Sequence, residues 1–146
     1  MYVRKNAICA IASIYKNVDY LIPDAPELIE GFLSHEPEIT CQKLAFLFLS
    51  RTEPKRATNF FNLIADRIPE MDLSLQLAVI EFIRCSFADS NEEETTRYSK
   101  VLVNLLKKSG ESAAKYESAT VLIQVSSGDS ELVKSIFCLA VCLFVL

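Results

Sequence analysis

Apolar residues recur every three to four positions along almost the entire chain, the spacing of amphipathic helices rather than strands. Val3, Ala7, Ile11 and Ile14 predict one helical face, with Ile8, Ala12 and Tyr15 beside it. The pattern breaks between Asn17 and Pro23. Asp24 then reads as an N-cap, with Glu27 three residues on completing a capping box and Pro26 in the first turn. The helix that follows carries Leu28, Ile29, Phe32 and Leu33. After Glu36 and Pro37, a third helix is expected over about 39–50, holding Ala45, Phe48 and Leu49. Thr52 is the expected cap of a fourth, with Pro54 in its first turn, Phe60, Phe61 and Ile64 inside it, and Pro69 closing it. Asp72 caps a fifth that runs to about residue 87 through Leu75, Ala78, Val79, Phe82 and Ile83. The acidic stretch 89–94 suits the positive end of a sixth helix. Tyr98, Val101, Leu102 and Leu105 form that helix's apolar face, and Lys107, Lys108 and Gly110 its C-terminal signature. A seventh helix is expected over about 112–125 and an eighth from about 130 onward, with a break at 126–128.

Eight helices with short connections either close into one bundle or stack as pairs. A repeat favours stacking. The odd-numbered helices share a register around a small residue, at Ala7, Ala45, Ala78 and Ala119. Each alanine is followed four positions later by a large apolar residue, respectively Ile11, Leu49, Phe82 and Ile123. The spacing is close to the two-helix period of HEAT and armadillo repeats. A small residue at a fixed point lets neighbouring helices approach closely, and each pair buries one face against the next. The expected fold is therefore all-α, a HEAT/armadillo-like α-solenoid of about four helix pairs. Residues 1–146 are expected to form a single helical-repeat segment of a longer trunk.

Composition sharpens this picture. Of 146 residues, 51% are hydrophobic and 23% charged, which leaves ample material for a core. Only three glycines and five prolines occur, too few for an all-β fold with many tight turns. The net charge of -4 gives no support to nucleic-acid binding. The five cysteines, Cys9, Cys41, Cys85, Cys138 and Cys142, include no C-x-x-C pair, so they are expected to be reduced, buried and apolar in behaviour. Met1 to Tyr20 loosely resembles a signal peptide, yet its apolar positions keep helical spacing and no convincing cleavage site follows. The apolar run 136–146 is atypical but much shorter than the ~20 residues of a membrane span, and a buried helix is expected there. That run stops without a cap or a polar end, which suggests a fragment or an aberrant terminus.

Catalytic chemistry is hard to place. His35 and Cys41 lie close in the chain, but a helix-end surface histidine and a core thiol are expected rather than a nucleophilic dyad. Glu92, Glu93 and Glu94 point around a helix instead of converging on a cation. No glycine-rich phosphate loop or zinc-protease pattern occurs, so catalytic, cofactor and metal sites are all expected to be none. Phe46, Phe48, Phe60, Phe61 and Phe82 sit at core spacing. The one candidate for binding is a charged rim of Arg4, Lys5, Lys43 and Lys115, which recur at similar points of the repeat: a solubilising face is the plainer reading, and steering of an acidic partner or an anionic membrane surface the functional one.

The strings Val3-Arg4-Lys5-Asn6-Ala7-Ile8, Ser13-Ile14-Tyr15-Lys16-Asn17 and Pro23-Asp24-Ala25-Pro26-Glu27-Leu28 closely resemble the beta-subunit family of coatomer. So do Cys41-Gln42-Lys43-Leu44-Ala45-Phe46, Leu75-Gln76-Leu77 and Lys115-Tyr116-Glu117-Ser118-Ala119. The likeness covers about Tyr2 to Ser127. It implies an adaptin-like N-terminal trunk and a scaffold role in the COPI vesicle coat, in Golgi-to-ER and intra-Golgi transport. The implied partners are other coatomer subunits, the delta subunit especially, and an Arf-type small GTPase. Peripheral attachment of a cytoplasmic protein to the Golgi membrane is implied as well. No enzyme activity, nucleic acid or small-molecule substrate is expected. Because the Val3-Arg4-Lys5-Asn6-Ala7 opening is shared with large subunits of clathrin adaptors, such a subunit is the alternative. An uncapped segment of a solenoid is also expected to be poorly soluble or to self-associate when expressed alone.

Overall fold

A computed structural model of the chain describes residues 2–125. The expected eighth helix, the apolar run 136–146, Cys138 and Cys142 lie outside the described residues. Among those described the regular structure is helical, with seven α-helices and three short 3₁₀ turns. The chain divides into two compact units, Met1–Ile64 and Ala65–Leu146.

The first unit holds α1 (Tyr2–Asn17), α2 (Ala25–Leu33), α3 (Ile39–Thr52) and α4 (Pro54–Ile64), with a 3₁₀ turn at Asp19–Leu21. Helix α3 is central. It packs against α1, α2 and α4, and α2 also meets α4. Its sequence explains that position, because Cys41, Ala45, Phe46, Phe48 and Leu49 bury one broad side while Leu44 and Leu47, half-buried, make the other side apolar as well. A helix that is apolar on more than one side must be covered on more than one side. Phe46 meets Phe60 of α4 at a ring-centroid distance of 5.7 Å, and Phe61 of α4 and Leu33 of α2 are fully buried as well. Helix α1 contributes a single buried residue, Ile8. Its Val3, Ala7, Ala10 and Ile14 all face solvent.

The second unit holds α5 (Leu73–Ser86), α6 (Glu92–Lys108) and α7 (Ser112–Val125), with 3₁₀ turns at Ile68–Glu70 and Phe87–Asp89. Helix α7 packs on both α5 and α6. Tyr98 of α6 sits edge-on to Phe82 of α5, with ring centroids 6.1 Å apart. Within each unit, then, helices meet their neighbours one and two places along the chain, as stacked helix pairs do. The small-residue register matches this. Ala45, Ala78 and Ala119 are buried at 0%, 5% and 6% exposure. Ala7 departs from it, being exposed, and in α1 the buried position is Ile8 instead.

Several helix ends differ from expectation. Asp24 precedes α2, but its side chain makes no capping bond. Its backbone (φ -83, ψ 1) is not the extended conformation from which a cap side chain reaches the first-turn amides. Thr52 belongs to the last turn of α3, where its hydroxyl donates to the Phe48 carbonyl at 2.9 Å, so it cannot cap α4. At α3 it is Glu38 that caps, accepting from the Cys41 amide at 3.0 Å. Asp72 does cap α5, accepting from the Ser74 amide at 2.8 Å. A capping box lies at α6, between Asn91 and Glu94. Gly110 takes no left-handed conformation. Helix α6 ends at Ser109, which is extended (φ -61, ψ 139) and buried, its hydroxyl donating to Gln76 Oε1 at 2.9 Å.

Candidate functional site

The groups that attract a catalytic reading from sequence do not assemble. His35 is exposed, and its Nδ1 lies 3.1 Å from the Gly31 carbonyl. Cys41 is fully buried. Burial pushes its thiol pKa up, and the Glu38 carboxylate adds to the effect. A thiol so placed stays protonated, the opposite of an activated nucleophile. Cys9 and Cys85 correct the expectation of uniformly buried thiols, since both are exposed. Glu92, Glu93 and Glu94 diverge as expected: Glu94 serves the capping box and Glu93 pairs with Arg97 at 3.3 Å. Among the described residues no group of three His, Cys, Asp or Glu side chains is placed to hold a metal.

Four of the arginines are engaged in ion pairs among the described residues. Arg4, one of the four expected rim residues, pairs at 3.3 Å with Glu36, whose side chain is only 3% exposed. Glu36 also accepts from the Glu38 amide at 3.0 Å. That pair ties α1 to the connection between α2 and α3. Arg56 of α4 binds Glu30 of α2 and also Glu53, the latter at 2.6 Å. Arg84 of α5 reaches Glu117 of α7 at 2.6 Å. Lys5 and Lys43 of the first unit and Lys115 of the second are half-buried.

A different pair of cations borders the open concavity of the first unit. Between the C-terminal halves of α1 and α3 lies a groove of about 840 Å³. Its apolar wall is Tyr15, Leu44, Leu47 and Phe48. Tyr15 and Phe48 fix the two helices here, their rings edge-on at 5.5 Å. Leu44 and Leu47 lie on the side of α3 opposite its fully buried residues and remain half-exposed. The rim carries Lys16 and Arg51, both exposed and without an ion pair among the described residues. The other polar groups are occupied locally. Asp19 Oδ1 accepts from the Tyr20 amide at 2.9 Å, and the Asn17 amide donates to the Ser13 carbonyl at 2.8 Å. Sequence reading passed over Lys16 and Arg51 because they fall outside the repeat register. The signal that marks them is their place in the last turns of two neighbouring odd-numbered helices.

Comparison with known proteins agrees with this architecture. The family of the adaptin N-terminal region matches residues 1–144. Coatomer subunit beta of Dictyostelium discoideum is 40% identical over 126 residues, which cover 86% of this chain and 14% of that protein. The Drosophila melanogaster coatomer subunit beta is 40% identical over 125 residues, and that of Sus scrofa 39% over 126, each covering 86% of this chain and 13% of the relative. The chain thus spans only 13–14% of the length of these relatives. The family is of helical solenoid type, in keeping with the helical composition and the pairwise packing inside each unit. On the strength of a match running through nearly every residue, this chain belongs to the family of the adaptin N-terminal region.

Proposed function

We propose that the chain is a scaffold segment of a vesicle-coat subunit of the coatomer beta type, working by binding proteins and catalysing no reaction. The observation that carries this is its 40% identity to coatomer subunit beta across 86% of its length. The physical character of the chain supports it. The buried polar side chains of Glu36, Gln76 and Ser109 tie helices and turns together, and the concavity between α1 and α3 is apolar with a charged border, the surface of a docking module. On this reading the coat is that of COPI vesicles. The partners are other coatomer subunits, delta in particular, and an Arf-type small GTPase. The protein works in the cytoplasm, held peripherally at the Golgi membrane. No helix among the described residues is long and apolar enough to cross a membrane.

Affinity capture of the tagged chain from cells, read by mass spectrometry, tests the reading. Coatomer subunits are expected among the specific captures. Recovery of clathrin-adaptor subunits in their place would transfer the chain to the large subunits of those complexes, and recovery of neither would end the coat proposal.

A further inference from the structure

The groove between α1 and α3 has a chemistry of its own. We infer that it docks a short peptide segment that presents carboxylates beside large apolar side chains. The inference rests on the reading of the chain as a protein-binding scaffold and names the chemistry of one of its partners.

Two independent features point to that occupant. The first is shape and polarity. A concavity of about 840 Å³ lies in the size range of built binding sites, and Tyr15, Leu44, Leu47 and Phe48 give it an apolar wall. Leu44 and Leu47 remain half-exposed within it, so an apolar side chain entering the groove removes further apolar surface from water. The second is charge. Lys16 and Arg51 both stand on the rim without an ion pair among the described residues, whereas Arg4, Arg56, Arg84 and Arg97 are each held in one. Basic residues in a last helical turn do complement the macrodipole. Yet α2 and α4 of the same unit end without any, so this unit does not need a cation at each helix end. The two that are present converge on one groove. Asp19, the acid on the same rim, has one carboxylate oxygen engaged by the Tyr20 amide. The complement of this surface is a negative group next to a greasy one. A nucleic acid would supply the charge but leave Leu44 and Leu47 uncovered, and the net charge of -4 disfavours it.

The test is fluorescence anisotropy with the full 146-residue chain and a labelled peptide carrying two glutamates beside a leucine and a phenylalanine. A control peptide replaces both glutamates by glutamine, and a third replaces them by lysine. The glutamate peptide is expected to bind about three-fold or more tightly than the glutamine control, with affinity falling as salt is raised. The double variant Lys16→Glu, Arg51→Glu is expected to lose about ten-fold for the glutamate peptide and to prefer the lysine peptide. Both positions are exposed, and a helical circular-dichroism spectrum with a cooperative melting transition, lowered only by the modest cost of reversing two charges at helix C-termini, verifies the fold of the variant. Equal binding of the glutamate and glutamine peptides by the parent chain overturns the proposal without recourse to any variant. So does the lack of saturable binding, or a folded double variant that binds like the parent. These readouts use purified chain and peptide alone. Their failure therefore leaves the capture of coat subunits untouched, and a failed capture leaves the groove's chemistry untouched.

Discussion

Gln76 is a polar residue at 1% exposure inside α5, and every polar atom of its side chain is used. Its Nε2 donates to the Pro69 carbonyl at 3.1 Å and to the Met71 carbonyl at 2.8 Å, while its Oε1 accepts from the Ser109 hydroxyl at 2.9 Å. Ser109 in turn accepts from the Glu111 amide at 3.1 Å. One amide thus fixes the turn before α5 and the passage from α6 to α7. Gln76→Leu keeps the volume but orphans two carbonyls and a hydroxyl, and is expected to cost about 2–3 kcal/mol in chemical denaturation. In the sequence the residue stands out only as a polar position between Leu75 and Leu77, which helical periodicity reads as solvent-facing. Periodicity has no means of showing a side chain that turns inward to serve the backbone. The thiols teach the same lesson. Cys41, buried and with its pKa raised, is expected to resist iodoacetamide in the native chain and to react only on unfolding. Cys9 and Cys85 are expected to be modified under native conditions, as peptide mapping by mass spectrometry would record.

Among the elements, the existence of α1 to α7 followed from apolar spacing, and their faces and ends followed less completely. Two faces of α1 are apolar. Val3, Ala7 and Ile14 were grouped with Ile11 on one side, but it is the Ile8 side that is buried. Spacing identifies a stripe, and only the neighbouring helix decides which stripe is covered. Caps failed where a residue of the right type had the wrong backbone, as at Asp24, or lay inside the preceding helix, as at Thr52. Long-range ties between helices had no local signature at all. The Glu30–Arg56 pair joining α2 to α4 is one of these. Arg56, with help from Asn59 at 3.3 Å, holds the Glu30 carboxyl below its ordinary value, and Arg56 itself is raised. A carboxyl lowered in the folded state adds stability above its unfolded pKa of about 4.3 and loses that contribution as the pH falls through its folded pKa. Glu30→Gln is therefore expected to cost about 0.5–1 kcal/mol at neutral pH, a value limited by the partial exposure of both groups. It should also flatten the acid limb of a melting-temperature profile below about pH 4.3. The Arg4–Glu36 tie acts differently, because its carboxylate is buried. Arg4→Ala leaves Glu36 without its cation and is expected to cost about 1–2 kcal/mol, whereas Arg4→Lys restores part of it.

At the scale of the molecule, the helical-repeat character was already implied by composition and by the alanine register. The groove was not, because it depends on how two helices separated in the chain by a third, α2, approach one another. Several large apolar side chains are exposed on adjoining elements at the start of the chain: Tyr2 (78%), Val3 (81%) and Ile14 belong to α1, Tyr20 (77%) and Leu21 to the turn after it, and Leu28 to α2, with Ile39, Leu63, Tyr116 and Val125 exposed elsewhere. Large apolar side chains left in water on adjoining elements favour association, since each one covered contributes in proportion to the area removed from solvent. A net charge of only -4 on 146 residues offers weak mutual repulsion against it. The purified chain is accordingly expected to self-associate, its weight-average mass by light scattering rising with concentration. If these side chains are the cause, Val3→Ser with Leu28→Ser should lower the association without lowering the melting temperature, because neither residue is part of the core. A chain that stays a sharp monomer at high concentration would show that this surface is harmless in water. Association that persists unchanged in the double variant would place its origin on another part of the molecule.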